Sequence, residues 1–408
     1  MKSASGVVVF GMLFLGLAAP AAAEWDLWEG DNSSLRLGAN LQMLSAYLVL
    51  PDLEIPGIPS TGGLGSAVGR LEWSAELGDS VTVDIHNRFL WQSSTVPDEL
   101  LQQGFGVTLG TDRRLDTATE LIDNDTTSLV HDLDRFVVGI YLDRFDLYLG
   151  RQAISWGVSD LFRVADRFAP LSPFELDTLQ RRGVDAARVV THLSQDLELD
   201  LVVADRGPDT PLSLAARLEY FGVSTDIYGA FGRFWERLSL MGGVSWLAGN
   251  WKVFGEGELL WNLDEVEPDR PRATVGIQRM AMRWQLGTEY HYNGLGIIAD
   301  NGYAEMMQRP ELERGETYFM GRHYIGATSF YAFDTGWALG GGAMMNLLDP
   351  SAVVFPSVRY ELEEQMTISA GAYLGFGEEG SIGLDGFNIP SEYGTVADLY
   401  FLQMTAFF

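Results

Sequence analysis

The chain has 408 residues, with 56 acidic against 27 basic side chains, a formal net charge of -29 and no cysteine. The absence of cysteine excludes disulfides and thiol chemistry, and the strong negative charge argues against nucleic acid or anionic lipid headgroups as electrostatic partners. Because 46 glycines and an aromatic fraction of 12% accompany the acidic residues, the composition is that of a folded protein and not of a disordered acidic tail.

The N-terminus has the pattern of a secretory signal peptide. Lys2 precedes an apolar run over 7–17, and the alanines at 21–23 form a small-residue cleavage site. The run is shorter than the roughly 20 apolar residues that a membrane-spanning helix needs. The sequence therefore predicts a signal peptide over 1–23 and one exported domain over 24–408, since no linker or change of composition divides the remainder.

Most of the exported chain alternates between apolar and polar residues, which is typical of β-strands with one apolar face. In the stretch WKVFGEGELLWN, Trp251 and Trp261 begin and end the apolar face. Roughly ten residues, rising about 3.3 Å each at a tilt near 45°, span the apolar band of an outer-membrane barrel, whose two edges carry aromatic girdles. We therefore predict that both tryptophans, and Trp73 in RLEWSAEL, lie in the membrane girdle.

The alternating segments predict an all-β protein, a transmembrane antiparallel β-barrel of about 18 strands, with 16 as the alternative. The predicted strands are 34–50, 65–78, 80–94, 132–143, 144–152, 183–194, 196–206, 210–221, 222–235, 237–247, 249–263, 271–282, 283–294, 321–333, 334–348, 350–363, 364–378 and 395–408. Tight turns follow the even-numbered strands, whereas longer polar connections follow the odd-numbered ones. Short periplasmic turns alternating with long outer loops are the pattern of bacterial outer-membrane barrels.

A barrel of this size is too wide for its own side chains to fill, so it encloses an aqueous channel. The predicted lumen-wall residues are Arg70, Glu72, Glu76, Asp84, Arg88, Arg188, Glu198, Asp200, Lys252, Glu256 and Glu258. A hydrated wall needs polar residues in any case, so most of these are expected to have no individual role. Excess acid lining the lumen would favour cations; the alternative is that the acid lies on the outer loops.

The connection 153–182 has features that a simple hairpin does not need. The stretch SPFE at 172–175 has the spacing of a capping box, and Gly183 is a stop signal, so we predict a helix over 173–182. Apolar side chains in this connection need a surface to bury against, and the inner wall of the barrel is nearby. We expect a pore constriction or gate folded into the lumen, with an outer cap as the alternative. Its predicted residues are Trp156, Arg163, Asp166, Arg167, Glu175, Arg181 and Arg182.

The C-terminal stretch VADLYFLQMTAFF has one apolar strand face. Tyr400, Leu402, Met404 and Phe408 lie on it. The pattern is typical of the terminal strand that the barrel-assembly machinery recognises. Together with the signal peptide, it predicts the outer membrane of a Gram-negative bacterium as the location, with outer-membrane lipid and the assembly machinery as partners.

The stretch GRQAISWG…DRFAPLSP…RRGVDAARV, within 148–190, resembles a segment found in several porin-like outer-membrane families of Gram-negative bacteria, among them alginate-export-like barrels. The whole layout is also similar to the 18-stranded barrels that accompany polysaccharide-export machinery, such as exopolysaccharide secretion in myxobacteria. The periplasmic repeat scaffold of some exporters is missing here. Export would therefore imply a separate periplasmic export protein.

The sequence favours a passive channel, with a gated conduit for exopolysaccharide export as the leading hypothesis. The alternatives are a porin for small hydrophilic solutes or cations, and a barrel scaffold around a plugging partner protein. Catalysis is not expected, because the five histidines are scattered and none adjoins a nucleophile-type serine or has zinc-ligand spacing. No cofactor and no metal is expected, and the oligomeric state stays open.

Overall fold

The structure, a computed structural model, describes residues 24–51, 60–96, 113–124, 126–170, 172–174, 181–263, 271–298, 302–383 and 386–408. The predicted signal peptide, Glu175 and most of the predicted helix over 173–182 lie outside these residues. Among the described residues, no helix is long and apolar enough to cross a membrane.

The described residues form a closed antiparallel barrel. The strands are β1 (Glu24–Gly30), β2 (Ser33–Val49), β3 (Thr61–Leu77), β4 (Val81–Ser94), β5 (Thr119–Asn124), β6 (Thr127–Tyr141), β7 (Asp146–Gln152), β8 (Val184–Ser194), β9 (Leu197–Asp205), β10 (Ser213–Phe221), β11 (Thr225–Phe234), β12 (Arg237–Ala248), β13 (Trp251–Asn262), β14 (Arg272–Met280), β15 (Trp284–Asn293), β16 (His323–Ala332), β17 (Trp337–Asn346), β18 (Ser351–Glu363), β19 (Met366–Phe376), β20 (Ser381–Gly383), β21 (Gly386–Asn388) and β22 (Asp398–Phe407). Eighteen of these, β2 to β4, β6 to β19 and β22, pair in order, and β22 pairs with β2 to close the barrel. The predicted fold class and the count of 18 are confirmed.

The alternation of side chains places apolar residues on the outside and polar residues in the lumen. Along β13, Trp251, Val253 and Leu259 are 39 to 44% exposed, while Glu256 and Glu258 are buried. In a closed barrel every strand has a partner on both sides, so an exposed apolar outer face is compatible with lipid. The barrel is therefore built for an outer membrane, as the sequence predicted.

Each of the 18 predicted strands coincides with a barrel strand to within a few residues, because the period of two is a local signal. The short turns follow the predicted parity, and some depend on glycine: Gly78 and Gly249 adopt φ values of 67° and 60°, which favour a residue without a side chain. Four short strands were missed. Strand β5 extends the pairing of β6 beyond β7, and β1 continues the line of β22 along β2, with Gly38 opposite Glu24. The other two, β20 and β21, pair with each other outside the barrel sheet.

The predicted helix over 173–182 is not formed in its described part. Pro173 and Phe174 form a turn, and Arg181 and Arg182 are not helical. Ser172 does accept a hydrogen bond from the Phe174 amide at 3.2 Å, as a capping serine would. Phe174 is buried in an aromatic cluster, so tertiary packing overrides the local helix signal. The helices that the structure describes are four residues long, Tyr303–Met306 and Pro310–Glu313, with a 3-10 turn at Tyr393–Thr395.

Candidate functional site

The segment 153–170, which follows β7, lies inside the barrel. Its aromatic side chains Trp156, Phe162 and Phe168 are at most 2% exposed. Trp156 packs edge-on against Phe168 at 5.1 Å and belongs to a core cluster with inward residues of the wall. The Trp156 indole also donates a hydrogen bond to Asp200 of β9 at 2.9 Å. We call this segment the lumen segment.

Two wall carboxylates hold the backbone of the lumen segment. Glu256 of β13 accepts hydrogen bonds from the amides of Val158 and Val164, at 2.7 and 2.6 Å. Glu289 of β15 accepts from the three successive amides of 160–162, at 2.9 to 3.1 Å. Amides in a loop have no strand partner, and these carboxylates supply the acceptors that the backbone would otherwise lack. The segment is thereby fixed to the wall at both of its turns.

Asp166 holds the lumen segment to itself. One carboxylate oxygen accepts hydrogen bonds from the Ser155 hydroxyl and from the amides of Trp156 and Gly157, at 2.7, 2.9 and 2.9 Å. The other accepts from the Arg181 guanidinium at 2.5 Å. Charge-assisted bonds of this kind are the stronger hydrogen bonds of proteins. Asp166 therefore fixes the fold of the segment and joins it to the chain that leads into β8.

A buried cluster of charges joins the lumen segment to a second outer connection, 302–322. Arg167 lies 2.7 Å from Glu316 and 3.4 Å from Glu258. Arg272 of β14 pairs with Glu258 and donates to the Glu316 carbonyl at 2.5 Å. All four side chains are at most 4% exposed. A buried cluster with balanced charges resists separation, because each charge removed leaves another unpaired.

Aromatic packing completes the attachment. Phe162 stacks on His291 of β15, with 5.1 Å between ring centres and an interplanar angle of 5°. Phe319 of the second connection packs against the Phe162 ring, with 5.1 Å between ring centres. Tyr324 and Tyr393 belong to this cluster. Tyr393 lies in a third outer connection, between β19 and β22, which therefore also reaches the barrel interior. Three outer connections thus share one core inside the mouth of the barrel.

A buried carboxyl, Glu392, anchors the third connection. It accepts hydrogen bonds from the Met320 amide, the Tyr324 hydroxyl and the Asn346 side chain, while its own amide donates to Asp349 at 2.7 Å. Burial raises the pKa of Glu392 from 4.5 to about 7. The buried Glu392 therefore binds a proton more readily than an exposed glutamate. The docking of the third connection is most stable below the ordinary pKa of glutamate and weakens as pH rises through about 7.

Replacing Glu392 with glutamine should remove this pH dependence, because the amide cannot ionise. In the wild type we expect protease cleavage of the outer connections to become more frequent between about pH 5 and about pH 8, as their docking weakens. Glu305→Gln, which neutralises a side chain 77% exposed, is the control and should keep the wild-type profile. A wild-type profile in Glu392→Gln would show that another group titrates.

Three arginines at the constriction keep part of their side chains in contact with water. Arg163, Arg181 and Arg188 keep 27, 22 and 26% of their side chains exposed. Their partners Asp166 and Asp200 are at most 2% exposed. These two acids are turned inward, where they hold the protein together, and the preference of the lumen for cations stays a prediction.

The structure brings most of the predicted gate residues together. Trp156, Arg163, Asp166, Arg167 and Arg181 lie in one network, Arg182 is half-buried nearby in the chain, and Glu175 lies outside the described residues. Whether they act as a gate stays a prediction.

The predicted wall residues divide into two groups. Arg188, Asp200, Lys252, Glu256 and Glu258 belong to the half of the wall that meets the lumen segment, with Lys252 donating to the Val158 carbonyl at 3.3 Å. Arg70, Glu72, Glu76, Asp84, Arg88 and Glu198 lie elsewhere on the wall; for example, Arg70 pairs with Asp134 at 3.8 Å and Asp84 accepts from Ser74 at 2.9 Å.

Three residues of the site were missed in the sequence. Glu289 and Arg272 lie on predicted strands at positions whose parity points inward, so the argument that found Glu256 could have found them. Glu316 lies in a connection without a regular pattern, and no sequence signal marks it.

The three proposed girdle tryptophans and two of the four proposed assembly residues have side chains exposed or half-exposed on the lipid side. Trp251 is exposed, and Trp73 and Trp261 are half-buried on the same outer face. On β22, Tyr400 and Leu402 are exposed, whereas Met404 is buried and Phe408 is half-buried beside Ala39. Recognition by the assembly machinery stays a prediction.

The sequence matches no family model and no curated protein. Solved structures do share the fold. OccK8 (OprE) of Pseudomonas aeruginosa is 8% identical with a TM-score of 0.55, covering 91% of this chain and 97% of that one. OccK5 (OpdH) of the same species is 8% identical, TM-score 0.54, covering 90% and 97%. OpdK, solved with vanillate, is 10% identical, TM-score 0.53, covering 91% and 98%.

These similarities support a porin-like barrel, and they give no support to the resemblance with alginate- or exopolysaccharide-export barrels. At 8 to 10% identity they establish the architecture alone. The chain has the closed 18-stranded barrel fold of Gram-negative outer-membrane porins.

Proposed function

We propose that the protein is a passive porin through which small hydrophilic solutes diffuse across the outer membrane. The observation that carries this proposal is the attachment of the lumen segment. Its backbone is bound by Glu256 and Glu289, and its side chains share buried clusters with two other connections. Leaving a buried hydrogen-bonding group unpaired costs about 1–3 kcal/mol. The segment is therefore a fixed constriction, and not a gate that moves aside for a polymer.

The fixed constriction makes the porin hypothesis stronger than polysaccharide export. A wide polymer needs the barrel interior that the lumen segment occupies. The same segment also takes the place where a plugging partner protein would sit, which argues against the scaffold hypothesis. The solved neighbours are channel porins, which supports transport and not catalysis.

The constriction favours anionic solutes in this proposal. The exposed parts of Arg163, Arg181 and Arg188 face the water, and their carboxylate partners do not. Arginine binds carboxylates through two parallel hydrogen bonds. OpdK was solved with vanillate, an aromatic carboxylate, and we extend the chemical class, small carboxylates, to this chain.

Liposome swelling tests the proposed function. Purified protein in liposomes should admit small neutral sugars and amino acids, should admit small carboxylates faster than cations of equal size, and should exclude dextran. The matched control is the same lipid without protein. Dextran entry would contradict a fixed constriction, and so would a wild-type protein that stays silent until the lumen segment is deleted.

A further inference from the structure

The lipid-facing surface of β12 to β16 contains an apolar groove of about 530 Å³. Its outward-facing lining includes Val244, Trp246, Val253, Val275, Ile277 and Tyr290. These side chains are 38 to 57% exposed. Gly255 lies on the same face of β13, between Val244 of β12 and Val275 of β14, and its missing side chain leaves the depression. An apolar lining and a volume of this size fit part of one apolar chain.

An arginine lies just beyond the periplasmic end of this groove. Arg279 follows Ile277 on the outward face of β14, and its guanidinium lies over the rings of Trp251 and Trp284, at 5.3 and 5.7 Å. Both tryptophans begin their strands directly after short turns, so they mark the periplasmic interface of the membrane. The guanidinium is thus held at the level of lipid headgroups by two cation–π contacts.

The position of this arginine points to an anionic partner. The whole protein carries a formal charge of -29, which repels anionic lipid in general. Arginine is also costly in a lipid-facing position unless its charge is met by water or by an anion. A phosphate at the headgroup level would satisfy the outer edge of Arg279, while an attached acyl chain would reach the groove above it.

We propose that Arg279 and the groove over Gly255 form a binding site for one anionic phospholipid of the periplasmic leaflet. The phosphate contacts the guanidinium, and one acyl chain lies against Val253, Val275 and Ile277. This site is on the outer surface and does not depend on which solute the channel passes. The occupant is a phospholipid, because lipid A belongs to the opposite leaflet and the arginine lies at the periplasmic end.

Native mass spectrometry of the detergent-purified protein with added phosphatidylglycerol tests the site. We expect one tightly held phosphatidylglycerol per chain, with phosphatidylcholine bound more weakly. Arg279→Gln should weaken phosphatidylglycerol binding roughly tenfold through loss of a charge-assisted contact. Gly255→Leu should weaken both lipids by filling the groove, since an added Cβ meets only ordinary contacts at 3.4 Å.

Matched controls lie on the same outer surface. Gly229→Leu on β11 adds a side chain where nothing lies within 4 Å, and Arg233→Gln removes a charge from the opposite, outer end of the barrel wall. Both should bind lipid as the wild type does. Heat-dependent mobility on gels confirms that each variant is folded. If Gly255→Leu does not fold, the proposal is tested by Arg279→Gln and by the comparison of the two lipids.

Three results would overturn the proposal. The first is equal binding of both lipids by the wild type and Arg279→Gln. The second is loss of binding in Arg233→Gln but not in Arg279→Gln, which would place the anion site in the outer leaflet. The third is a dimer that Gly255→Leu converts into a monomer without a change in lipid binding, which would make the groove an interface between two copies of this chain.

Discussion

Replacing Glu256 and Glu289 together with alanine is expected to raise the single-channel conductance several-fold. The two carboxylates accept five hydrogen bonds from amides of the lumen segment. Each buried amide left without an acceptor costs about 1–3 kcal/mol, so the attached conformation loses much of its advantage over a detached one. The strands of the barrel keep their own backbone pairing, because neither side chain takes part in it. Conductance in a planar bilayer measures the effect.

The matched control removes two other wall carboxylates. Glu76 pairs with Arg36 and Glu198 pairs with His192, and neither pairing involves the lumen segment. Glu76→Ala with Glu198→Ala changes the net charge equally and should leave the conductance near the wild-type value. An equal increase in both double variants would show that wall charge, and not attachment of the segment, sets the conductance.

Replacing Arg163 and Arg181 with glutamine should shift ion selectivity from anions toward cations. A unit charge about 6 Å from an ion in water contributes about 0.7 kcal/mol, or roughly a threefold change in relative permeability for each arginine. Asp166 keeps the hydroxyl and amide donors that bind it, so the internal hydrogen bonds of the lumen segment are retained. The reversal potential in a salt gradient gives the permeability ratio.

Arg309→Gln is the control for this substitution. It removes a charge from an outer connection, where Arg309 is 38% exposed and pairs with Glu305, and its effect on the permeability ratio should be small, because charges on the outer surface are screened by salt. If the double variant and this control shift the ratio equally, the general potential at the mouth sets selectivity and the constriction does not.

The inward-turned carboxylates explain how an acidic protein can present a basic constriction. Asp166, Asp200, Glu258 and Glu316 are all at most 2% exposed in their side chains. Each binds an arginine or a backbone amide. Its charge is therefore paired inside the protein and contributes little to the electrostatic potential that a solute meets. Net charge therefore predicts solubility and long-range repulsion better than it predicts the selectivity of the pore.

The sequence alone determined the barrel. Strands β3 and β13 could be located from alternating residues, and the periplasmic turns from parity and from glycines such as Gly78, because these signals act over a few neighbouring residues. Apolar outer faces and tryptophans at strand ends likewise depend on the position along one strand. The inward direction of Glu256 and Glu258 follows from the same period.

Only the tertiary structure decided what the inward residues do. Glu256 accepts a hydrogen bond from an amide 92 residues away in the sequence, and Arg167 pairs with Glu316, which is 149 residues away. No local sequence pattern indicates contacts at such separations. Pro173 and Phe174, at the start of the helix predicted over 173–182, form a turn with Phe174 buried, for the same reason. Whether a charged side chain is buried or faces water depends on which distant segment covers it. That choice is made when the outer connections fold into the barrel, and it turns an acidic sequence into a constriction edged by arginine.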